Sequence, residues 1–279
     1  MSMSLRKILL EKCINERLLK ENQYLIEGID IDLENKTVSF NSTHENNVDT
    51  STLINPTYYK LNSIDVISIF KRKKTKYFQL DGNPLIYALK GINNWKFKNS
   101  EQDIVNLLKQ FIRISEKIKS SYDTIIIVPS NNSLNVNFLY RLNKIIKTQY
   151  QITDYFDKMT VEDVFENFIN WKKIKEDFKD KYDDIVKSLS ICFNSMDTKN
   201  NHYFSYKYIK DVNLRKYITR TIHSSNEKTI DYAIHINDKN ILILDDTIAS
   251  GSTISEVCKE ISETFTPKSI TVITLFSKL

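Results

Sequence analysis

The stretch that decides the fold is Asn240-Ile-Leu-Ile-Leu-Asp-Asp-Thr-Ile-Ala-Ser-Gly-Ser-Thr-Ile254. Its four consecutive apolar residues, 241–244, predict a buried strand, because an apolar run without alternation is typical of a parallel strand covered on both faces. Two acids and a short loop follow, and apolar residues at helical spacing then predict a helix over 253–264. A strand over 269–276 comes next. This order of strand, helix and strand predicts an α/β fold.

The loop in this stretch has the composition of an anion-binding site. The first turn of a helix carries unpaired N–H groups and a partial positive charge. Gly251 lets the backbone approach a phosphate closely, and the hydroxyl residues around it are donors. Asp245 and Asp246 follow the predicted strand, and ligands of open α/β sheets bind at the carboxyl ends of strands. Adjacent carboxylates suit the hydroxyls of a sugar or a phosphate-bound Mg²⁺.

Residues 241–254 resemble the phosphoribosyl pyrophosphate (PRPP) signature of the type I phosphoribosyltransferases, which has four apolar residues, two acids and a Thr/Ser-Gly-x-Thr loop. The resemblance implies a central parallel sheet flanked by helices. It also implies that Asp245 and Asp246 are the catalytic residues and hold the ribose hydroxyls, directly or through Mg²⁺ and water. The residues that would bind the 5′-phosphate are Thr247, Ile248, Ala249, Ser250, Gly251, Ser252 and Thr253. Ala249 stands where enzymes acting on 6-oxopurines usually have an Asp, which argues against hypoxanthine or guanine as the substrate.

A second segment, Ile125-Ile-Ile-Val-Pro-Ser-Asn-Asn-Ser133, agrees with the resemblance. In this family the first core strand leads into a loop that binds pyrophosphate, and 125–133 stands upstream of the signature as that order requires. The residues that would bind pyrophosphate are Pro129, Ser130, Asn131, Asn132 and Ser133. Taken alone, the segment also fits an ordinary turn after a strand.

A third segment, 80–91, resembles the region before the core in relatives of the competence protein ComF, where a Leu-Lys pair precedes the first helix. This makes Lys90 a candidate ligand contact, and a solvated lysine is the alternative. The cysteine-rich zinc ribbon common in that subgroup is missing. Cys13, Cys192 and Cys258 lie far apart and have no metal-binding spacing.

The chain divides, on these patterns, into an N-terminal α+β region over 1–100 and a phosphoribosyltransferase core over 101–279 with a helical insertion at about 156–229. The N-terminal region is a candidate hood for the nucleobase. The other predicted elements are helices over 5–22, 102–118, 133–147 and 160–192 and strands near 149–155 and over 231–236. Thr160 and Asp163 predict a helix cap.

Two further groups of residues are candidates for ligand contacts. Basic residues of the insertion could reach pyrophosphate or face solvent, and they are Lys207, Lys210, Arg215, Lys216 and Arg220. Aromatic residues of the N-terminal region could stack on a base or belong to the core, and they are Tyr58, Tyr59, Tyr77, Tyr87 and Trp95. His235 falls on the predicted strand 231–236, and the four histidines show no metal-binding spacing.

Composition narrows the partners. The chain of 279 residues has 40 Lys+Arg against 35 Asp+Glu, and a net charge of +5 does not by itself favour nucleic acid, although the basic run 71–76 keeps that contact open. Its apolar runs are far shorter than the ~20 residues of a membrane span, and the charged N-terminus does not resemble a secretory signal. We therefore expect a cytoplasmic protein without a membrane partner.

The function that the resemblance implies is that of a glycosyltransferase of nucleotide metabolism. It would be a Mg²⁺-dependent phosphoribosyltransferase that moves a pentosyl group, ribose 5-phosphate, from PRPP to a nucleobase or related nitrogen acceptor and releases pyrophosphate. Its partners would be PRPP and a small nitrogenous base, and the chain would form a homodimer or one component of a complex. The alternative is a non-catalytic regulator that senses PRPP or nucleotides and binds nucleic acid or a partner protein.

Overall fold

The computed structural model describes residues 28–41, 48–72, 83–91, 93–118, 120–130, 134–199, 202–209, 211–248 and 251–277. The helix predicted over 5–22 and most of the basic run 71–76 lie outside these residues. Across the described ranges, no helix has the length and apolar character needed to cross a bilayer.

Strand, helix and strand follow one another over 240–277, as predicted. The strands are β1 (Gly28–Asp32), β2 (Thr37–Asn41), β3 (Val48–Asp49), β4 (Thr57–Leu61), β5 (Ile64–Arg72), β6 (Lys96–Phe97), β7 (Thr124–Ile127), β8 (Tyr150–Ile152), β9 (Phe156–Lys158), β10 (Ile222–Ser224), β11 (Asn240–Ile248) and β12 (Ser269–Ser277). The helices are α1 (Asn83–Lys90), α2 (Ser100–Ser115), α3 (Leu134–Ile146), α4 (Val161–Asn167), α5 (Trp171–Asp177), α6 (Tyr182–Lys199), α7 (Thr229–Ile236) and α8 (Ser252–Thr264).

The main sheet is mixed, with a parallel centre. Its strand order is β3-β5-β12-β11-β7-β8, and β4 pairs with β5 beside β3. The strands from β5 to β8 in this order run parallel, whereas β3 and β4 are antiparallel to β5. The α/β prediction is confirmed. Residues 48–72 of the predicted N-terminal region supply three strands to the same sheet, and the division into 1–100 and 101–279 stays a prediction.

Both faces of the sheet are covered, which explains the unalternating apolar run of β11. Leu242 and Leu244 face a core that includes α1, α2 and α3. Ile241 and Ile243 face the opposite core, which includes α7 and α8. All four side chains are fully buried. A parallel strand between two helical layers therefore accounts for the composition of 241–244.

Strands β7 and β11 mark the point where the order of the sheet reverses. From β7 the chain continues to its neighbour β8 on one side, whereas from β11 it continues to β12 on the other side. The connecting helices α3 and α8 pack on opposite faces. Ligands of open α/β sheets bind in the crevice outside the carboxyl ends of the strands at such a switch point. The topology thus directs attention to the loops after β7 and β11.

The insertion forms a compact unit with its own apolar core, lined by residues between Met159 and Ile218. The segment 160–192 is helical, as predicted, and three helices, α4, α5 and α6, cover it. Thr160 caps α4 as predicted, accepting a hydrogen bond from the Asp163 N–H at 3.0 Å. Asn170 caps α5 and thereby starts a new helix within the segment.

The prediction of a strand over 231–236 is wrong, because these residues belong to α7. The apolar residues of this segment do not all face the core. Ile230 and Ile234 are 83% and 72% exposed, whereas Ile236 is buried. Since Ile230 and Ile234 stand four residues apart, they share the outer face of a helix. The apolar residues of this segment therefore include isoleucines that face solvent.

Candidate functional site

Strand β11 carries its two acids past the end of β7 at the carboxyl edge of the sheet. The pairing between β11 and β7 stops at Leu244, whereas the pairing with β12 continues to Ile248. Asp245 and Asp246 therefore lie beside the loop that follows β7. Asp245 is half-buried, and Asp246 is only 5% exposed.

Asp246 forms an ion pair with Lys90, the last residue of α1. The Lys90 Nζ lies 2.6 Å from Asp246 Oδ2, and the two side chains are 16% and 7% exposed. The interpretation of Lys90 as a solvated lysine is therefore wrong. The resemblance implies a free carboxylate that faces a sugar diol. In this arrangement one of its oxygens, Asp246 Oδ2, faces the ammonium instead.

Asp245 is surrounded differently. Its Oδ1 accepts a hydrogen bond from the Asp246 N–H at 2.8 Å, and Asn135 Nδ2 approaches it at 3.5 Å. Burial and, second, the neighbouring Asp246 carboxylate raise the pKa of Asp245 to about 7. The two acids thus differ in their surroundings: Asp246 is paired with a cation, whereas Asp245 has a raised pKa.

Two buried oxygen atoms beside the acids have no hydrogen-bond partner among the described residues. They are Asn135 Oδ1 and Thr247 Oγ1. Asn135 is 1% exposed, and its Nδ2 also donates to the Val128 carbonyl at 2.9 Å, which fixes the orientation of the amide. Buried polar atoms are nearly always paired in folded proteins. These two oxygens next to the carboxylates can therefore accept hydrogen bonds from a water molecule or a ligand.

The loop after β11 is described on both sides of 249–250. Thr247 and Ile248 end the strand, Gly251 precedes α8, and Ser252 and Thr253 form its first turn. The φ of Gly251 is +78°, and a Cβ there would come within 2.3 Å of Leu61 Cδ2. A glycine suits this position for two reasons: the backbone is left-handed, and Leu61 lies close to where a Cβ would stand. Ala249 and Ser250 lie outside the described residues.

The loop after β7 is described only at its start. Pro129 and Ser130 are half-buried there, and 131–133 lie outside the described residues, so Asn131, Asn132 and Ser133 stay predictions. The loop is joined to β11, because the Val128 N–H donates to the Leu244 carbonyl at 2.9 Å. Asn135 links the same loop to Asp245. The two loops named from the sequence therefore leave the sheet side by side.

Two cations of the insertion have partners away from this edge. Arg215 donates to the Ile209 carbonyl, and Arg220 pairs with Glu260 at 2.7 Å. His235 lies on α7 and not on a strand. Its ring stacks on the Tyr150 ring, with 3.4 Å between the ring centroids. Of the aromatic candidates, Tyr58 and Tyr59 line a cavity of about 400 Å³ beside the start of β5, at the opposite edge of the sheet. Tyr77 lies outside the described residues.

Sequence reasoning missed Asn135 and undervalued Lys90. Asn135 stands between Leu134 and Val136 at the start of α3, and a polar residue buried there after a loop is the signal that could have found it. Lys90 is 156 residues away from Asp246 along the chain. Only the folded sheet brings them together.

The oxygen atoms at this edge fit a Mg²⁺ ion held mainly by a ligand and water. Mg²⁺ prefers carboxylate and carbonyl oxygens and usually keeps several waters. Asp245 and Asn135 Oδ1 supply such oxygens and Thr247 Oγ1 supplies a hydroxyl, whereas Asp246 Oδ2 is engaged by Lys90. Within the described ranges, no three His, Cys, Asp or Glu side chains come together as a metal site. The protein alone would therefore supply only part of the coordination.

Comparisons with known proteins add no name to this geometry. A scan against models of protein families finds no match, and a search of curated proteins finds none either.

Proposed function

We propose that the chain binds PRPP at the carboxyl ends of β7 and β11 and acts as a Mg²⁺-dependent phosphoribosyltransferase. The observation that carries the proposal is the position of Asp245, at the switch point of the sheet, beside two buried oxygens that have no partner among the described residues. This edge is where an α/β fold receives a ligand. The sequence of the loop, with its glycine and hydroxyl residues before α8, supports an anionic phosphate there.

Each part of PRPP has a candidate partner in this arrangement. The 5′-phosphate would lie against the loop of 247–253 at the start of α8, and the pyrophosphate against the loop of 129–133. Asp245 would accept hydrogen bonds from the ribose hydroxyls. Mg²⁺ bound with PRPP would balance the charge of the departing pyrophosphate. The protein's own task is then to hold the sugar and the acceptor in line, because positioning and electrostatics dominate such transfers.

A binding test with a matched control examines the proposal. We expect calorimetry to detect PRPP binding in the presence of Mg²⁺, and Asp245→Asn to weaken it about tenfold or more, because the hydrogen bonds that this residue accepts lose the negative charge that strengthens them. Asp65→Asn is the control: Asp65 is an exposed acid at the opposite edge of the same sheet, where it pairs with Lys60 at 2.9 Å. Absence of PRPP binding by the unaltered protein would refute the proposal.

A second candidate function is a regulator that binds PRPP without consuming it. The observation that favours it is the ion pair between Lys90 and Asp246, which withholds one of the two carboxylates from a sugar. Release of pyrophosphate from PRPP across a panel of nucleobases separates the two functions. Turnover with any base identifies a transferase, whereas binding without turnover, together with salt-sensitive affinity for DNA or RNA, identifies a regulator.

A further inference from the structure

We propose that Lys90 is an anion-binding residue of this site, whose ammonium leaves Asp246 for a phosphate or pyrophosphate group when the ligand enters. The inference rests on the proposed function and assigns a role to a residue outside the two loops. Its starting point is the ion pair of 2.6 Å between two side chains that are 16% and 7% exposed.

The backbone of Lys90 is fixed, whereas its side chain is long. Lys90 ends α1, whose residues Leu85 and Ile86 are buried in the core with α2 and α3. Gly91, with a φ of +63°, turns the chain immediately afterwards. A lysine side chain has a flexible four-carbon stem and a compact charge. The ammonium can therefore swing between neighbouring acceptors without any movement of the helix.

The ammonium has donors to spare in its present position. It carries three N–H groups, and Asp246 is the acceptor found for it among the residues that the structure describes. A largely buried ammonium with unused donors is costly unless further acceptors arrive. The buried Asn135 Oδ1 and Thr247 Oγ1 beside the acids show the complementary deficit, since neither has a donor in the part of the chain that the structure describes. A ligand with anionic oxygens and hydroxyl groups would satisfy both deficits.

The charges explain why an exchange is needed. The Asp246 carboxylate repels an incoming phosphate, and it balances the single charge of the Lys90 ammonium. When a phosphate takes the ammonium, Asp246 regains a free carboxylate. That carboxylate can then accept hydrogen bonds from the sugar hydroxyls, as the resemblance implies. One movement of a side chain would thus provide for both the anionic group and the hydroxyls.

The test uses inorganic pyrophosphate, because it is anionic and has no sugar hydroxyls. Calorimetry at a fixed Mg²⁺ concentration compares the unaltered protein, Asp246→Asn and Lys90→Met/Asp246→Asn. Asp246→Asn removes the competing negative charge and leaves a neutral amide oxygen, so it is expected to tighten pyrophosphate binding about threefold to tenfold. The double variant lacks the ammonium and is expected to bind at least about tenfold more weakly than Asp246→Asn. It leaves no unpaired charge at the pair, so it keeps the fold measurable.

Lys60→Met is the matched control, since it removes a lysine that pairs with Asp65 at the opposite edge of the sheet and should leave the affinity unchanged. Equal affinities of Asp246→Asn and the double variant would overturn the inference, and so would weaker binding by Asp246→Asn than by the unaltered protein. Either result with PRPP binding intact leaves the proposed function standing. If the unaltered protein binds neither PRPP nor pyrophosphate, the proposed function fails and the inference with it.

Discussion

Two pairs of acids in this chain have opposite surroundings. Glu256 and Glu260 stand four residues apart on α8 and face the insertion. The Glu256 carboxylate accepts hydrogen bonds from the Thr221 N–H at 2.6 Å, the Thr221 hydroxyl at 2.8 Å and the Ile222 N–H at 2.9 Å. Glu260 accepts from Arg220 and from Ser224 Oγ. All four carboxylate oxygens of this pair are used inside the protein.

Asp245 and Asp246 lie on the strand that leads into the same helix, yet their surroundings are incomplete. Asp246 has one buried cation, and Asp245 has a backbone N–H and a long contact to Asn135. An amide oxygen and a hydroxyl next to them lack partners within the described residues. The contrast indicates that Glu256 and Glu260 join two parts of the structure, whereas the surroundings of Asp245 and Asp246 leave room for the ligand that we propose.

The largest expected difference between the two pairs of acids is the loss of stability when Lys90 is replaced. Lys90→Met leaves the buried Asp246 carboxylate without its cation. Removing one partner of a buried ion pair costs about 3–5 kcal/mol, because an uncompensated charge stays behind. Urea denaturation should show this loss of unfolding free energy, and Lys90→Met/Asp246→Asn should recover most of it. Lys60→Met, at an exposed ion pair, should change the stability by less than about 1 kcal/mol. Equal losses at Lys90 and Lys60 would mean that the Lys90–Asp246 pair is not buried in solution.

A smaller loss of stability is expected at Glu256, and it should leave the affinity for PRPP almost unchanged. Glu256→Ala leaves the N–H groups of Thr221 and Ile222 without acceptors, and both residues are buried. Unpaired buried donors cost about 1–3 kcal/mol in unfolding free energy. We expect this loss in urea denaturation, with a change in the Kd for PRPP below about twofold.

Glu256→Gln is the matched control for that experiment. Its amide oxygen can still accept from a backbone N–H, so it should lose less stability than Glu256→Ala. A large loss of PRPP affinity in either variant would contradict the structural role of this pair and would tie the insertion to the ligand site.

Local patterns predicted much of this architecture, and long-range contacts account for what they missed. The apolar run 241–244 and the helix after it were found because burial between two helical layers leaves a direct record in the sequence. The helix α7 was misread because Ile230 and Ile234 are apolar without being buried. In the candidate site, the local motif predicted both Asp245 and Asp246, but it did not predict that their surroundings differ.

The difference between the two acids depends on residues from other elements. Lys90 comes from α1 and Asn135 from α3, and neither position is related to β11 by a local spacing. Which carboxylate meets the cation is decided by the faces of a strand, since Asp246 shares its face with Leu242 and Leu244 beside α1. Motif reasoning gives the identity of a site's residues more easily than their state of charge.

The smallest predicted effect is the change in unfolding free energy per pH unit that the titration of Asp245 causes. Its pKa in the folded protein is raised to about 7 from an ordinary value of 3.8. A raised pKa means that the folded state binds the proton more tightly than the unfolded state does. The stabilisation is therefore fully present below about pH 4 and is lost as the pH rises through about 7. Because Asp245 is only half-buried, we expect a slope below about 1 kcal/mol per pH unit.

Urea denaturation between pH 4 and 8 measures this slope, and Asp245→Asn should flatten it, since the amide does not titrate. Glu256 also has a pKa raised by burial, so Asp245→Asn/Glu256→Gln should flatten the profile further. If Asp245→Asn leaves the profile as it was, Asp245 is ionised in the folded protein like an exposed acid. The two acids of β11 would then be equivalent in charge, and the contrast with Glu256 and Glu260 would rest on the Lys90 ion pair alone.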